Sequence, residues 1–125
     1  MADTKIKSFT DLKAWQEGHR LVIQIYEATE MFPAKEQFGL TNQVRRAVVS
    51  ITSNIAEGFS RNSHKEKVQF FAMARGSLTE VQNQLVIARD VGYLSVKKFE
   101  VIADQTVLVS KILNGLIKSV GLLNT

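Results

Sequence analysis

The stretch LTNQVRRAVVSITSNIAEG, residues 40–58, decides how this chain reads. Val44, Val48, Ile51 and Ile55 recur at steps of four, three and four. That spacing puts side chains on one face of an α-helix, whereas a half-buried strand needs a period of two. The stretch predicts helix from Leu40 to Glu57, closed by Gly58 as the left-handed residue that ends many helices. Ser50, Asn54 and Glu57 form a second, polar line, extended by Gln43, Ala47 and Arg61 and rotated roughly 100° from the apolar one at about 100° per residue. Glu57 falls in the last turn, where the macrodipole disfavours a carboxylate by about 0.3–1 kcal/mol, so a compensating partner is expected. We expect Ser50, Asn54 and Glu57 to meet the Ala72–Thr79 region of a neighbouring helix through a satisfied polar network that fixes register.

Outward from this stretch the same period recurs. Before it, Leu12, Trp15, Val22, Ile25, Tyr26 and Phe32 predict a helix from Thr10, its N-cap, to Phe32, stopped by Pro33. His19 falls between Trp15 and Val22 on the same line, as a core or boundary residue. After it, Ser63 and Glu66 have the spacing of a capping box, opening a helix that carries Val68, Phe71, Leu78, Val81, Leu85 and Ala88 inward and stops at Gly92. Ala72 and Gly76 lie four apart in it. A mid-helix glycine costs about 1 kcal/mol against alanine, so close approach of another backbone is expected there. Ser95 is the candidate N-cap of a last helix with Phe99, Ile102, Val109, Ile112, Leu113, Leu116 and Val120. Four amphipathic segments joined by short links predict an all-α fold, an antiparallel up-down-up-down four-helix bundle, as one domain over residues 1–125 with fraying at 1–8 and 122–125.

The whole chain agrees with that size. Folding 125 residues removes under about 70% of the unfolded chain's surface, enough for one core. With 45% hydrophobic and 22% charged residues the composition is that of a soluble globular chain. No apolar run reaches the ~20 residues that span a bilayer, and the N-terminal MADTKIKSF lacks the apolar stretch of a secretory signal, so a cytoplasmic protein with no membrane role is expected. Phe70, Met73, Val86 and Ile87, with Val101, Leu108 and Ile117, lie off the inward stripes. This surplus apolar surface predicts contact with further copies of the chain.

The chain has no cysteine, which excludes a disulfide framework and thiolate catalysis. His19 and His64 are the only histidines, and neither forms a metal-binding helical pattern with a second ligand. The nearest approach to a di-iron carboxylate motif is Glu27–Glu30, with no histidine following. No enzyme activity, no metal and no cofactor are expected.

Charge is more informative. The formal net charge of +4 is accounted for between Arg45 and Arg75, where Arg45, Arg46, Arg61, Lys65, Lys67 and Arg75 face only Glu57 and Glu66. Such a concentration is the footprint of a phosphate-bearing partner, and these six are the candidate nucleic-acid-binding residues. Arg45 and Arg46 stand about 100° apart on the helix, so one is expected to be held by an internal partner such as Glu57 or Glu80. Phe59, Phe70 and Phe71, beside the basic residues, fit a core better than base stacking.

Taken in order, Trp15, Tyr26, Phe32-Pro33, Glu36, Leu40, Gln43, Arg45-Arg46, Ser50, Asn54-Ile55-Ala56-Glu57-Gly58, Gly76-Ser77-Leu78, Glu80 and Gly92-Tyr93-Leu94 resemble the bacterial 23S rRNA intervening-sequence proteins, a ribosomal-protein-like family. The resemblance covers roughly residues 9–95. It implies a four-helix bundle assembled into a ring of five copies, and a small basic protein encoded within or relocated from insertions in rRNA genes. A related branch, the accessory variability protein of diversity-generating retroelements, is similar in fold and works with a reverse transcriptase and nucleic acid. The family brings no catalytic residues. Two functions are therefore expected to compete: a homo-oligomer that holds RNA or DNA phosphates without reading sequence, and an adaptor ring that binds another protein.

Overall fold

Ser8 opens the first turn. Its hydroxyl oxygen accepts from the Thr10 N–H while the Asp11 carboxylate accepts from the N–H groups of Lys7 and Ser8, closing a capping box around a short 3-10 turn, Phe9–Asp11. A computed structural model describes residues 5–123 of the chain. Four α-helices follow this turn, α1 (Lys13–Thr29), α2 (Leu40–Ser60), α3 (His64–Asp90) and α4 (Val96–Leu123), with a second 3-10 turn, Ala34–Glu36, between α1 and α2. The described residues contain no strand.

Contacts between neighbours run in opposite directions along each pair, which makes the bundle up-down-up-down. Gly18 faces Thr52 and Thr29 faces Arg45 across α1 and α2. Ser50 meets Ser77, and Gly58 meets Phe71, across α2 and α3. Gln82 and Arg75 reach Thr106 and Asn114 across α3 and α4. Gln105 donates to the carbonyl and carboxylate of Glu17, closing α4 back onto α1.

The interior is built from the residues that the period of α2 nominates, Val44, Val48, Ile51 and Ile55, against Leu21, Ile25, Phe71, Leu78, Val81, Leu85, Ile102, Val109 and Leu113, all buried. On α1 the buried face is turned from the expected one. Ala14, Gly18, Leu21 and Ile25 point inward, whereas Trp15 and Val22 are half-buried and Tyr26 is exposed. His19 is exposed and stacks on the Trp15 ring at 4.7 Å between centroids, so it is no core residue.

Three helix ends differ from expectation. Thr10 is not an N-cap: α1 begins at Lys13 and ends at Thr29, ahead of Phe32. Gly58 does not end α2 either, and Gly92 is the only described residue with a positive φ, +87°. The helix continues through Ser60 because Lys67, from the first turn of α3, extends Nζ back to the carbonyl oxygens of Phe59 and Gly58 at 2.7 and 3.3 Å. A cation there complements the negative end of the α2 macrodipole. Gly58 instead provides close approach, since a Cβ on it would lie 2.6 Å from a ring carbon of Phe71. The close approach expected at Gly76 is absent, with nothing within 4 Å of a Cβ built there. Ser63 caps α3 through the Glu66 N–H, the first half of the expected capping box, without a return bond from the Glu66 carboxylate, and Gly92 closes it, with the Tyr93 and Gly92 N–H groups bonding to the carbonyls of Ala88 and Arg89.

Of the segments expected to fray, 1–4 and 124–125 lie outside the described residues. Lys7 and Ser8 are held by Asp11, and α4 runs to Leu123.

At the end where the two outer connectors meet, the Tyr93 hydroxyl donates to Glu36 at 2.8 Å, and the same carboxylate accepts the Leu40 N–H. The Leu40 N–H and then the Tyr93 hydroxyl hold the Glu36 carboxyl below its ordinary range. The Gln105 amide does the same for Glu17, and the Lys7 and Ser8 N–H groups for Asp11. A carboxyl whose folded pKa is depressed stabilises the fold above its unfolded value, about 4, and that contribution disappears as pH falls through the folded value. Thermal melts should therefore show a flat transition temperature from about pH 7 to 5 and a steady fall below about pH 4. Tyr93 acts in the opposite sense: raised chiefly by its bond to Glu36, it contributes fully below about pH 10 and is lost as pH climbs through its folded value.

Candidate nucleic-acid interface

The six basic residues nominated by sequence do not form one patch. Arg46 and Arg61 are separated by about 22 Å along the α2 axis, at 1.5 Å per residue. Lys65 and Lys67 sit by Arg61 at the α2–α3 turn, while Arg75 lies on the flank of α3 that faces α4, bonded to Asn114 at 3.2 Å.

Three of the six are engaged by other groups of the chain. The Arg45 Nε donates to the Thr29 hydroxyl at 2.8 Å, its guanidinium lies 4.7 Å from the Tyr26 ring centroid, and Glu30 stands 3.7 Å away. So Arg45 is the internally held member of the arginine pair, on α1 rather than on Glu57 or Glu80. Arg61 pairs with Glu57 at 2.9 Å, and its guanidinium carbon lies 4.4 Å from the Phe70 ring centroid. Lys67 caps α2. Arg46 and Lys65 are exposed with no polar partner among the described residues, and Arg75 has only the neutral Asn114 amide.

The polar line of α2 divides in the same way. The Ser50 and Ser77 hydroxyls lie 2.8 Å apart, and the Asn54 amide donates to both the carbonyl and the hydroxyl of Ser50. Glu57 stays out of this cross-helix network. Its bond is to Arg61, one turn on in the sequence and largely in solvent, a kind of pair worth about 0.3–0.5 kcal/mol. This is the offset that a carboxylate in the last turn requires, and it comes from a cation rather than from α3.

Beyond the Ser50–Ser77 contact, α2 and α3 separate into an open groove of about 430 Å³ lined by Gln43, Arg46, Ala47, Ser50, Ser77, Glu80 and Gln84. Arg46 also borders a second hollow with Tyr26, Asn42, Arg45, Val49, Ser50 and Ser53. Arg46 therefore lies between a polar groove and a hollow walled in part by Arg45 and Tyr26. Among the described residues no three histidine or acidic side chains gather as metal ligands would. No described helix is long and apolar enough to cross a membrane.

The family model described as 23S rRNA-intervening sequence protein matches residues 10–115. The chain belongs to that family. The match takes in α4 as far as Gly115, where sequence reading found only an amphipathic pattern. Among solved structures, this member of the 23S rRNA-intervening sequence protein family is similar to a protein of unknown function of the S23 ribosomal protein family from Bacteroides thetaiotaomicron. The two are 19% identical over 84% of this chain and 95% of the other, with a TM-score of 0.77, a likeness of fold. No curated protein matches.

Sequence reading missed two residues that line the hollows of this 23S rRNA-intervening sequence protein, Tyr26 and the buried Gln84. The spacing from Trp15 and Val22 points Tyr26 inward, whereas the small residues Ala14 and Gly18 set the buried phase and leave Tyr26 exposed. Gln84 gave a signal that could have been used: it is a polar residue on the otherwise apolar Val81–Leu85–Ala88 face.

Proposed function

We propose that this protein is a non-enzymatic, cytoplasmic, homo-oligomeric bundle that holds RNA or DNA phosphates on Arg46, Lys65 and Arg75 by charge rather than by sequence. One observation carries the reading: these three cations have no carboxylate partner, so a phosphate can approach them without breaking an existing ion pair. Arg45, Arg61 and Lys67 contribute to the fold instead. Self-assembly into a ring, of five copies on the resemblance, is supported by exposed Met73, Ile87, Val101 and Leu108. By helical phase the α3 pair lies toward α2 and the α4 pair toward α1, and a ring requires two different patches that meet head to tail. Each added copy multiplies the cations presented to one strand.

Filter binding of single-stranded and structured RNA across salt tests the proposal. Three phosphates per subunit predict that affinity falls by about 20- to 40-fold between 50 and 200 mM salt for each subunit engaged. Retention of neither RNA at low salt rejects it in favour of a protein-binding ring. A stable monomer by light scattering at micromolar concentration removes the assembly.

A further inference from the structure

The groove between α2 and α3 holds a polar group that the fold leaves unused. Gln84 is only 6% exposed, yet its side-chain amide has no hydrogen-bond partner and its Oε1 is fully buried without one. Leaving such a group unmade costs about 1–3 kcal/mol. The amide turns about χ3 with little resistance and can present its oxygen to the groove. With Ser50 opposite Ser77, antiparallel register sets Arg46 and Glu80 on facing walls one turn further along, and Gln43 and Gln84 one turn beyond. Arg46 and Glu80 are of opposite charge and line the same groove, yet no ion pair joins them. Both are exposed, and neither has another partner among the described residues.

A ligand for this groove needs an anionic group for Arg46, adjacent N–H donors for the Glu80 carboxylate and a further N–H for Gln84. An unpaired guanine nucleotide carries all three. Its N1–H and one N2–H are side by side, as a carboxylate accepts them in a two-point contact, its second N2–H is left for the Gln84 oxygen, and its phosphate is the anion. Uracil has a single N–H between two carbonyls, and those carbonyls would face the carboxylate.

We infer that the α2–α3 groove is a reading pocket for an unpaired guanine, with Glu80 and Gln84 on the base edge and Arg46 on its phosphate. This rests on the proposed RNA-binding reading and adds base preference to it at one position per subunit.

The test is fluorescence anisotropy at low salt with labelled oligouridylates whose central nucleotide is guanosine, inosine or uridine; inosine lacks the N2 amine. The guanosine oligomer should bind about tenfold tighter than the uridine one, the worth of one good two-point contact, with inosine between them. Glu80→Gln should lower guanosine binding to the uridine level while leaving uridine binding equal or slightly stronger, since a carboxylate that repels phosphate is gone. A merely structural glutamate would move both oligomers together. Gln84→Met, of similar volume, should narrow the difference between guanosine and inosine without removing it, since Glu80 still accepts one N2–H of guanosine. Equal, salt-sensitive binding of all three oligomers overturns the guanine pocket and leaves the phosphate proposal standing. Binding of none overturns both.

Discussion

Replacing Gly58 by valine is expected to lower the melting temperature by about 10 °C or more. By propensity alone, alanine for a glycine inside a helix gains about 1 kcal/mol, so a glycine at an ordinary helical position would improve on substitution. Gly58 is not ordinary: a Cβ would lie 2.6 and 2.8 Å from two ring carbons of Phe71 and 3.1 Å from the Phe70 Cβ. Phe71 is itself buried, so its ring has nowhere to retreat without moving α2 from α3. Overpacking of this kind costs about 1–3 kcal/mol for small additions, which offsets or exceeds the propensity gain for alanine and clearly exceeds it for the larger, β-branched valine. A double-mutant cycle isolates the cause. In a Phe71→Leu background, where the ring is gone, Gly58→Ala should become neutral or stabilising. Equal cost in both backgrounds would mean that the α2–α3 crossing does not depend on this contact.

The second large effect concerns binding. The triple substitution Arg46→Gln, Lys65→Gln and Arg75→Gln is expected to weaken RNA binding at 50 mM salt by about 100-fold or more and to reduce the salt slope by about two to three. Glutamine keeps nearly the same helix propensity, and none of the three cations is part of an ion pair, so the melting temperature should hold. The pair Arg45→Gln and Arg61→Gln should do the reverse. Removing the Arg45 contacts to Thr29 and Tyr26 and the Arg61 cover on Phe70 takes away interactions worth about 1–2 kcal/mol in all, and the RNA slope should change little. Sequence proximity treats all six cations alike. If both sets of variants lose binding equally, the division of labour between them is wrong.

These contrasts show which parts of the molecule can be read from the chain alone. The α2 stripe was legible because large apolar residues at steps of three and four admit only one helical face. The α1 face was not, because its inward line runs through Ala14 and Gly18, whose small size is what lets α2 approach and is also what hides them from a hydrophobic pattern. Glycine positions were misread in both directions. Gly58 follows the last periodic residue of α2, as a helix-ending glycine does, but Lys67 satisfies the terminal carbonyls from beyond the turn and the helix runs on. Gly76, in mid-helix, faces open space. The basic residues were legible as a charge excess, but their partners were not, because the Arg45–Thr29 bond spans 16 positions and the Arg75–Asn114 bond 39. The Ser50–Ser77–Asn54 contacts were foreshadowed by the polar line on α2, whereas the role of Glu57 depended on how far α2 continued.

The Tyr93–Glu36 bond joins positions 57 apart and ties the α1–α2 connector to the α3–α4 connector. While the chain is still open, nothing offsets the entropy of closing so long a loop, so this contact can form only after both helical hairpins have been built and docked. Its energy therefore lies on the native side of the folding barrier. It is expected to slow the protein's escape from the folded state without hastening its arrival there, a latch that lengthens the lifetime of the bundle rather than speeding its assembly.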